Sequence, residues 1–109
     1  IEQQLRNPHS TGGYIRYEGD AYFRDRKHSN PWIITTLWMA QLRLQQPDMD
    51  QEDIAAVIET LDWVAKQRIS SGLLPEQMDP ETGQAKSATP LTWSHAVYVE
   101  TVLMLVERL

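Results

Sequence analysis

Cysteine is absent from the 109 residues, so neither a disulfide nor a thiolate-bound metal is available, which fits a reducing compartment. Histidine is scarce, and His9, His28 and His95 are too scattered to suggest a metal site. No apolar run approaches the roughly 20 residues of a membrane span. The N-terminus lacks the basic and apolar regions of a signal peptide, and the expected location is cytoplasmic. A chain opening on Ile1 rather than Met is consistent with an excised piece whose targeting segment lies elsewhere. Clusters of Lys and Arg are missing too. With a net charge of −5 and a pI near 5.0, the chain is a poor partner for nucleic acid or an anionic membrane. No internal repeat or low-complexity segment occurs.

What remains is the composition of a soluble globular domain, 41% hydrophobic with four tryptophans. Residues 1–11 show no sustained periodicity and read as irregular chain and the frayed remnant of a helix. Tyr14 to Asp25 is dense in aromatics and charges, with Tyr14-Ile15-Arg16-Tyr17 a candidate short extended piece. Ring faces and bidentate donors of this kind surround polyhydroxylated ligands, although a polar surface loop with an Arg16–Asp20 ion pair reads the same residues equally well.

Three long helices are expected. Asn30-Pro31 reads as N-cap and first helical residue of one running to Leu44, apolar nearly all round and therefore buried on most sides. Asp50 with Asp53 opens a second, whose apolar stripe Ile54, Val57, Ile58, Leu61, Val64, Ala65 and Ile69 faces a core, ending at Ser70-Ser71-Gly72 with Gly72 at C′. Thr92 or Ser94 caps a third, reaching Leu109, with an apolar face broader than two neighbouring helices would cover. Between the last two lies Gly72 to His95. A helix connection of about 20 residues is either disordered or functional, and Leu73, Leu74, Met78, Leu91 and Trp93 argue for packing. Pro75 and Pro80 stiffen it, and Asp79-Pro80-Glu81-Thr82-Gly83 reads as a turn. A carboxylate on a stiff, apolar-lined loop suits proton transfer, and Glu76 is that carboxylate; the alternative is an ordinary solvated glutamate.

Taken together, Gly13-Tyr14-Ile15-Arg16-Tyr17-Glu18-Gly19-Asp20, Asn30-Pro31-Trp32-Ile33-Ile34-Thr35-Thr36-Leu37-Trp38, Leu73-Leu74-Pro75-Glu76-Gln77 and Pro90-Leu91-Thr92-Trp93-Ser94-His95-Ala96 resemble, in order and spacing, the C-terminal part of glycoside hydrolase family 15. That family holds glucoamylases, glucodextranases and some trehalases. The resemblance implies an all-α fold, residues 1–109 being a C-terminal fragment of an (α/α)₆ barrel completed by the rest of the barrel upstream. It implies that Glu76 is the general base of an inverting hydrolase of α-glucosides (starch or maltooligosaccharide, dextran or trehalose), with Arg16 on sugar hydroxyls, Asp20 orienting it, Trp32 lining the pocket and Trp93 keeping water from the base. Gln77 would buttress the loop and His95 cap or pack. The family's general acid has no counterpart in residues 1–109, so the isolated piece should be inactive and should self-associate through its apolar faces. No metal or cofactor is implied. The competing resemblance is to the phosphorylase kinase regulatory subunits, which share the fold and would make this a glucan- or protein-binding domain without catalysis.

Overall fold

The computed structural model describes residues 2–109. The chain runs α1 (Glu2–Leu5), β1 (Tyr14–Ile15), β2 (Pro31–Trp32), α2 (Ile33–Leu44), α3 (Gln51–Lys66), β3 (Gln77–Met78), β4 (Ala85–Lys86) and α4 (Thr92–Arg108). Helix α2 packs against both α3 and α4. It buries Ile33, Ile34, Leu37, Ala40 and Leu44, as its nearly unbroken apolar sequence requires, and each such Ile or Leu contributes roughly 1.5–3 kcal/mol. Its one buried amide is not left unpaired: Gln41 Nε2 donates to Glu100 Oε1 and Thr101 Oγ1 of α4, both at 2.9 Å.

Helix α3 begins where the acidic pair predicts. The Asp50 carboxylate accepts from the Asp53 amide at 2.9 Å and Asp53 accepts from the Asp50 amide at 3.1 Å, a reciprocal capping box. Val57, Leu61 and Val64 are buried from this helix, while Ile58 of the same expected stripe is exposed. Trp63 reaches off the helix to donate its indole N–H to the Thr11 carbonyl at 2.8 Å, with its ring against Gly12 and Gly13. A Cβ on Gly13 would lie 2.7 Å from Trp63 Cη2 and 2.9 Å from Pro31 Cβ, at a φ of +86° that side chains rarely adopt.

Three of the expected helix boundaries are corrected. Asn30-Pro31 does not start α2. Pro31 and Trp32 form a strand instead, Trp32 occupies the N-cap position in extended conformation, and no side chain caps the helix. Pro31 is tolerated there because the first residue of a strand can lack an N–H. Helix α3 ends at Lys66, not at Ser70–Gly72; Gly72, at φ +88°, serves a separate turn closed by Gly72 N–H to Ile69 O and Ile69 N–H to Leu73 O, each 2.8 Å. Neither Thr92 nor Ser94 caps α4. Leu91 is its N-cap, and the Ser94 hydroxyl donates to the Pro75 carbonyl at 2.8 Å instead.

The all-α expectation holds for the bulk of the chain and is corrected by a sheet. Strands β1-β2-β3-β4 pair antiparallel in that order, through Tyr14↔Trp32, Trp32↔Gln77 and Gln77↔Lys86 among others. Two-residue strands carry no alternation to detect; they exist because residues far apart in sequence meet. The connection from Gly72 to His95 is therefore ordered around a hairpin, with 79–83 as its turn.

Candidate active site

Strand β2 organises the site. Trp32 is 3% exposed and pairs with Gln77, while the next residue, Ile33, donates its N–H to the Glu76 carbonyl at 3.1 Å. The Glu76 N–H donates to the Ala88 carbonyl at 2.9 Å. Its backbone is thus clamped on both sides, between the first residue of α2 and the segment after β4.

The same loop is tied to the start of α4. Leu91 N–H donates to Leu74 O at 3.0 Å, Ser94 Oγ to Pro75 O, and the Leu74 N–H to His95 Nε2 at 3.0 Å. An accepting Nε2 leaves the His95 proton on Nδ1, and through this bond the ring holds the loop.

The half-buried Glu76 side chain is fixed by one oxygen. Oε1 accepts from Ser87 Oγ at 2.7 Å and from Gln77 Nε2 at 2.9 Å. Among the described residues Oε2 accepts no hydrogen bond, so it can take a proton from a water. Ser87 adopts φ +63°, an unusual backbone for a residue with a side chain, and its hydroxyl meets the carboxylate from there. Nothing in the local sequence marks Ser87; only the β3–β4 hairpin brings it to Glu76.

Beside β2 stands Arg16, just after β1. Its guanidinium donates twice to Asp20, Nε to Oδ2 at 3.0 Å and Nη2 to Oδ1 at 3.1 Å, and Asp20 Oδ1 also accepts from the Tyr22 N–H at 3.1 Å. Asp20 is buried, so its charge is compensated by this fork. The guanidinium carbon lies 4.2 Å from the Trp32 ring centroid, 5.0 Å from Tyr17 and 5.5 Å from Tyr22. Partial burial alone would lower the Arg16 pKa; the hydrogen bonds and charge of Asp20 outweigh it and hold the pKa above its ordinary value.

A second ion pair braces the hairpin turn. Arg26 Nε lies 2.9 Å from both Asp79 oxygens, and Asp79 Oδ1 accepts from the amides of Glu81 and Thr82, each at 2.9 Å. Burial would raise the Asp79 pKa, but these amides and Arg26 pull it down to about 2. No sequence rule pairs Arg26 with Asp79, 53 residues apart.

Of the residues singled out from sequence, then, Arg16, Asp20 and Trp32 form one cluster, and Glu76 is tied by its backbone carbonyl to Ile33, the residue after Trp32. Trp93 packs edge-on against Trp38, centroids 5.8 Å apart, and is 51% exposed. Among the described residues no group of three His, Asp or Glu side chains could hold a metal ion. A cavity of about 520 Å³ lies beside the Arg16 loop, lined in part by Ile15, Glu18, Gly19 and Arg24. Glu76 is not among its walls.

Comparison with known proteins supplies the context. Residues 47–103 match the family described as glycosyl hydrolases family 15. The chain is 38% identical over 99 residues to an uncharacterized glycosyl hydrolase of Methanocaldococcus jannaschii, covering 84% of this chain. It is 30% identical over 103 residues to Trehalase 2 of Sulfolobus acidocaldarius, covering 94% of this chain. It spans only 15% and 16% of the length of these two relatives. No solved structure matches it.

Proposed function

Because this chain belongs to glycosyl hydrolase family 15, we propose that it supplies the general base and one wall of the sugar pocket of an inverting hydrolase of α-glucosides. The observation that carries the proposal is the Glu76 carboxylate, pinned through Oε1 by Ser87 and Gln77 with Oε2 unengaged. A base must be held still and keep one lone pair open, and this geometry does both. Glu76 Oε2 would take a proton from a water as that water's oxygen attacks the anomeric carbon from the face opposite the leaving group. The glycosidic C–O bond breaks as the new one forms, and the configuration inverts.

The leaving oxygen needs a proton from a second carboxyl, about 6.5–9.5 Å from the base in inverting enzymes. We place that acid outside residues 1–109, in the remainder of an (α/α)₆ barrel. Arg16, locked by Asp20 and stacked on Trp32, would donate to sugar hydroxyls; Trp32 then shapes the pocket by carrying Arg16 on its ring. Trp93 lies on α4, which also anchors the Glu76 loop, and would screen the base from bulk water once the barrel is complete.

The test is hydrolysis of maltose, maltotriose, dextran and trehalose by the full-length protein, with the anomer of the released glucose followed by NMR. Trehalose belongs in the panel because one relative is a trehalase. We expect β-glucose as the first product from at least one of these, and Glu76→Gln to lower kcat by about 10²- to 10⁴-fold without changing the circular dichroism. Retained activity in that variant removes Glu76 from the base role. No turnover of any sugar by the folded protein moves the assignment to a non-catalytic glucan- or protein-binding domain of the same fold.

A further inference from the structure

Asn30 lies in a motif whose obvious explanation fails, since it does not cap α2. It is nonetheless buried, 2% exposed, and its amide nitrogen makes two hydrogen bonds, to the Phe23 carbonyl at 3.0 Å and to Gln77 Oε1 at 3.1 Å. Gln77 is fully buried, and its own amide nitrogen donates to Glu76 Oε1. Four residues form one directed chain: Phe23 C=O accepts from Asn30, Asn30 donates to Gln77, and Gln77 donates to Glu76.

The direction of this chain is fixed by its ends. A carbonyl and a carboxylate can only accept, so Asn30 must turn its NH₂ toward Phe23, and Gln77 must turn its NH₂ toward Glu76. An amide flipped at either position would set two acceptors against each other. Phe23 holds φ +58°, an uncommon conformation for a residue with a bulky side chain, and that backbone carries the carbonyl that anchors the chain. Asn30 Oδ1 is buried and takes no hydrogen bond among the described residues, so the donors alone account for what Asn30 does.

We infer that Asn30 is a positioning residue for the base: by donating to Gln77 Oε1 it locks the Gln77 amide in the one orientation that donates to Glu76, and so sets the aim of the carboxylate. The inference rests on the reading of Glu76 as general base. Without the Asn30 donor, Gln77 Oε1 is left buried without its partner and the side chain loses the contact that holds its NH₂ on Glu76, leaving Ser87 as the one firmly placed donor to the carboxylate.

The test is a double-mutant cycle in the full-length protein with Asn30→Ala and Gln77→Met, the latter keeping volume while removing both polar atoms. Turnover of maltose and trehalose is measured beside Glu76→Gln, with circular dichroism and urea midpoints as controls on folding. Each single variant should lower kcat by about tenfold to a hundredfold, the size of one lost hydrogen bond to a charged acceptor, with KM changed less than about threefold. The double variant should lose no more than about threefold beyond Gln77→Met, because both substitutions break one chain.

Fully additive losses in kcat, or losses confined to KM, would overturn the inference, since a residue that only supports the fold has no reason to act through Gln77. Should Asn30→Ala fail to fold, Gln77→Met still decides: unchanged kcat there refutes the relay. If Glu76→Gln remains active, the base assignment fails instead, a result distinct from either.

Discussion

Asp79 shows how one buried carboxylate can tie the hairpin turn together and make the fold acid-sensitive. Its folded pKa of about 2 lies below the 3.8 of the free group, so the native state favours the ionised form. The stabilisation is complete above about pH 4 and is lost as the pH falls toward 2; the shift corresponds to about 2 kcal/mol. Asp79→Asn keeps an oxygen for the Glu81 and Thr82 amides and removes the charge that Arg26 engages. We expect it to be less stable than the parent at neutral pH by about that amount and to match it near pH 2, read from urea midpoints across the range. Ser87 is the residue that sequence could not have supplied. Its partner Glu76 is 11 positions away, and only the hairpin between them makes the 2.7 Å contact.

At the scale of the element, α3 is where local chemistry and structure agree. Asp50 and Asp53 cap each other, and Asp50→Ala should cost about 1 kcal/mol, seen as a lower urea midpoint with kcat unchanged, since no residue of the site lies on this helix. Helix α4 is the contrast. Its first-turn Ser94 is a plausible cap by composition, yet the hydroxyl is used to hold Pro75 and, with His95 on Leu74, to set the height of the Glu76 loop. A side chain has one best partner, and a buried carbonyl without another donor is a stronger claimant than a helix end that water can solvate.

Over the whole chain, the apolar surface is uneven. Val99, Leu103 and Val106 recur at helical spacing along α4, each more than half exposed, and Leu42 of α2 is exposed to a similar degree. Exposed apolar stripes are a common feature of interaction surfaces. We propose that it receives the rest of an (α/α)₆ barrel, and that the 109-residue chain produced alone hides it by self-association. Sedimentation should then give a mass above the 12.6 kDa of one copy at tens of micromolar, and Val99→Lys with Leu103→Lys should restore the monomer. A monomeric parent chain would show that the stripe is tolerated in water. Activity is not expected of the chain alone, because one carboxylate of an inverting pair is insufficient.

The three long helices, the capping box, the turn at 79–83, and the Arg16–Asp20 pair were all legible in the sequence, because each depends on residues within a few positions of one another. Glu76 was marked as a candidate carboxylate by its stiff loop and the family resemblance, and the structure adds its partners Ser87 and Gln77. The sheet, the true start of α2, the Arg26–Asp79 ion pair and the path from Asn30 through Gln77 to Glu76 were not legible there. Those contacts span 47 to 53 residues in the two side-chain cases, and no periodicity or local propensity records them. They form only when the packing of α2 against α3 and α4 brings the loops together and leaves buried polar groups that must find partners.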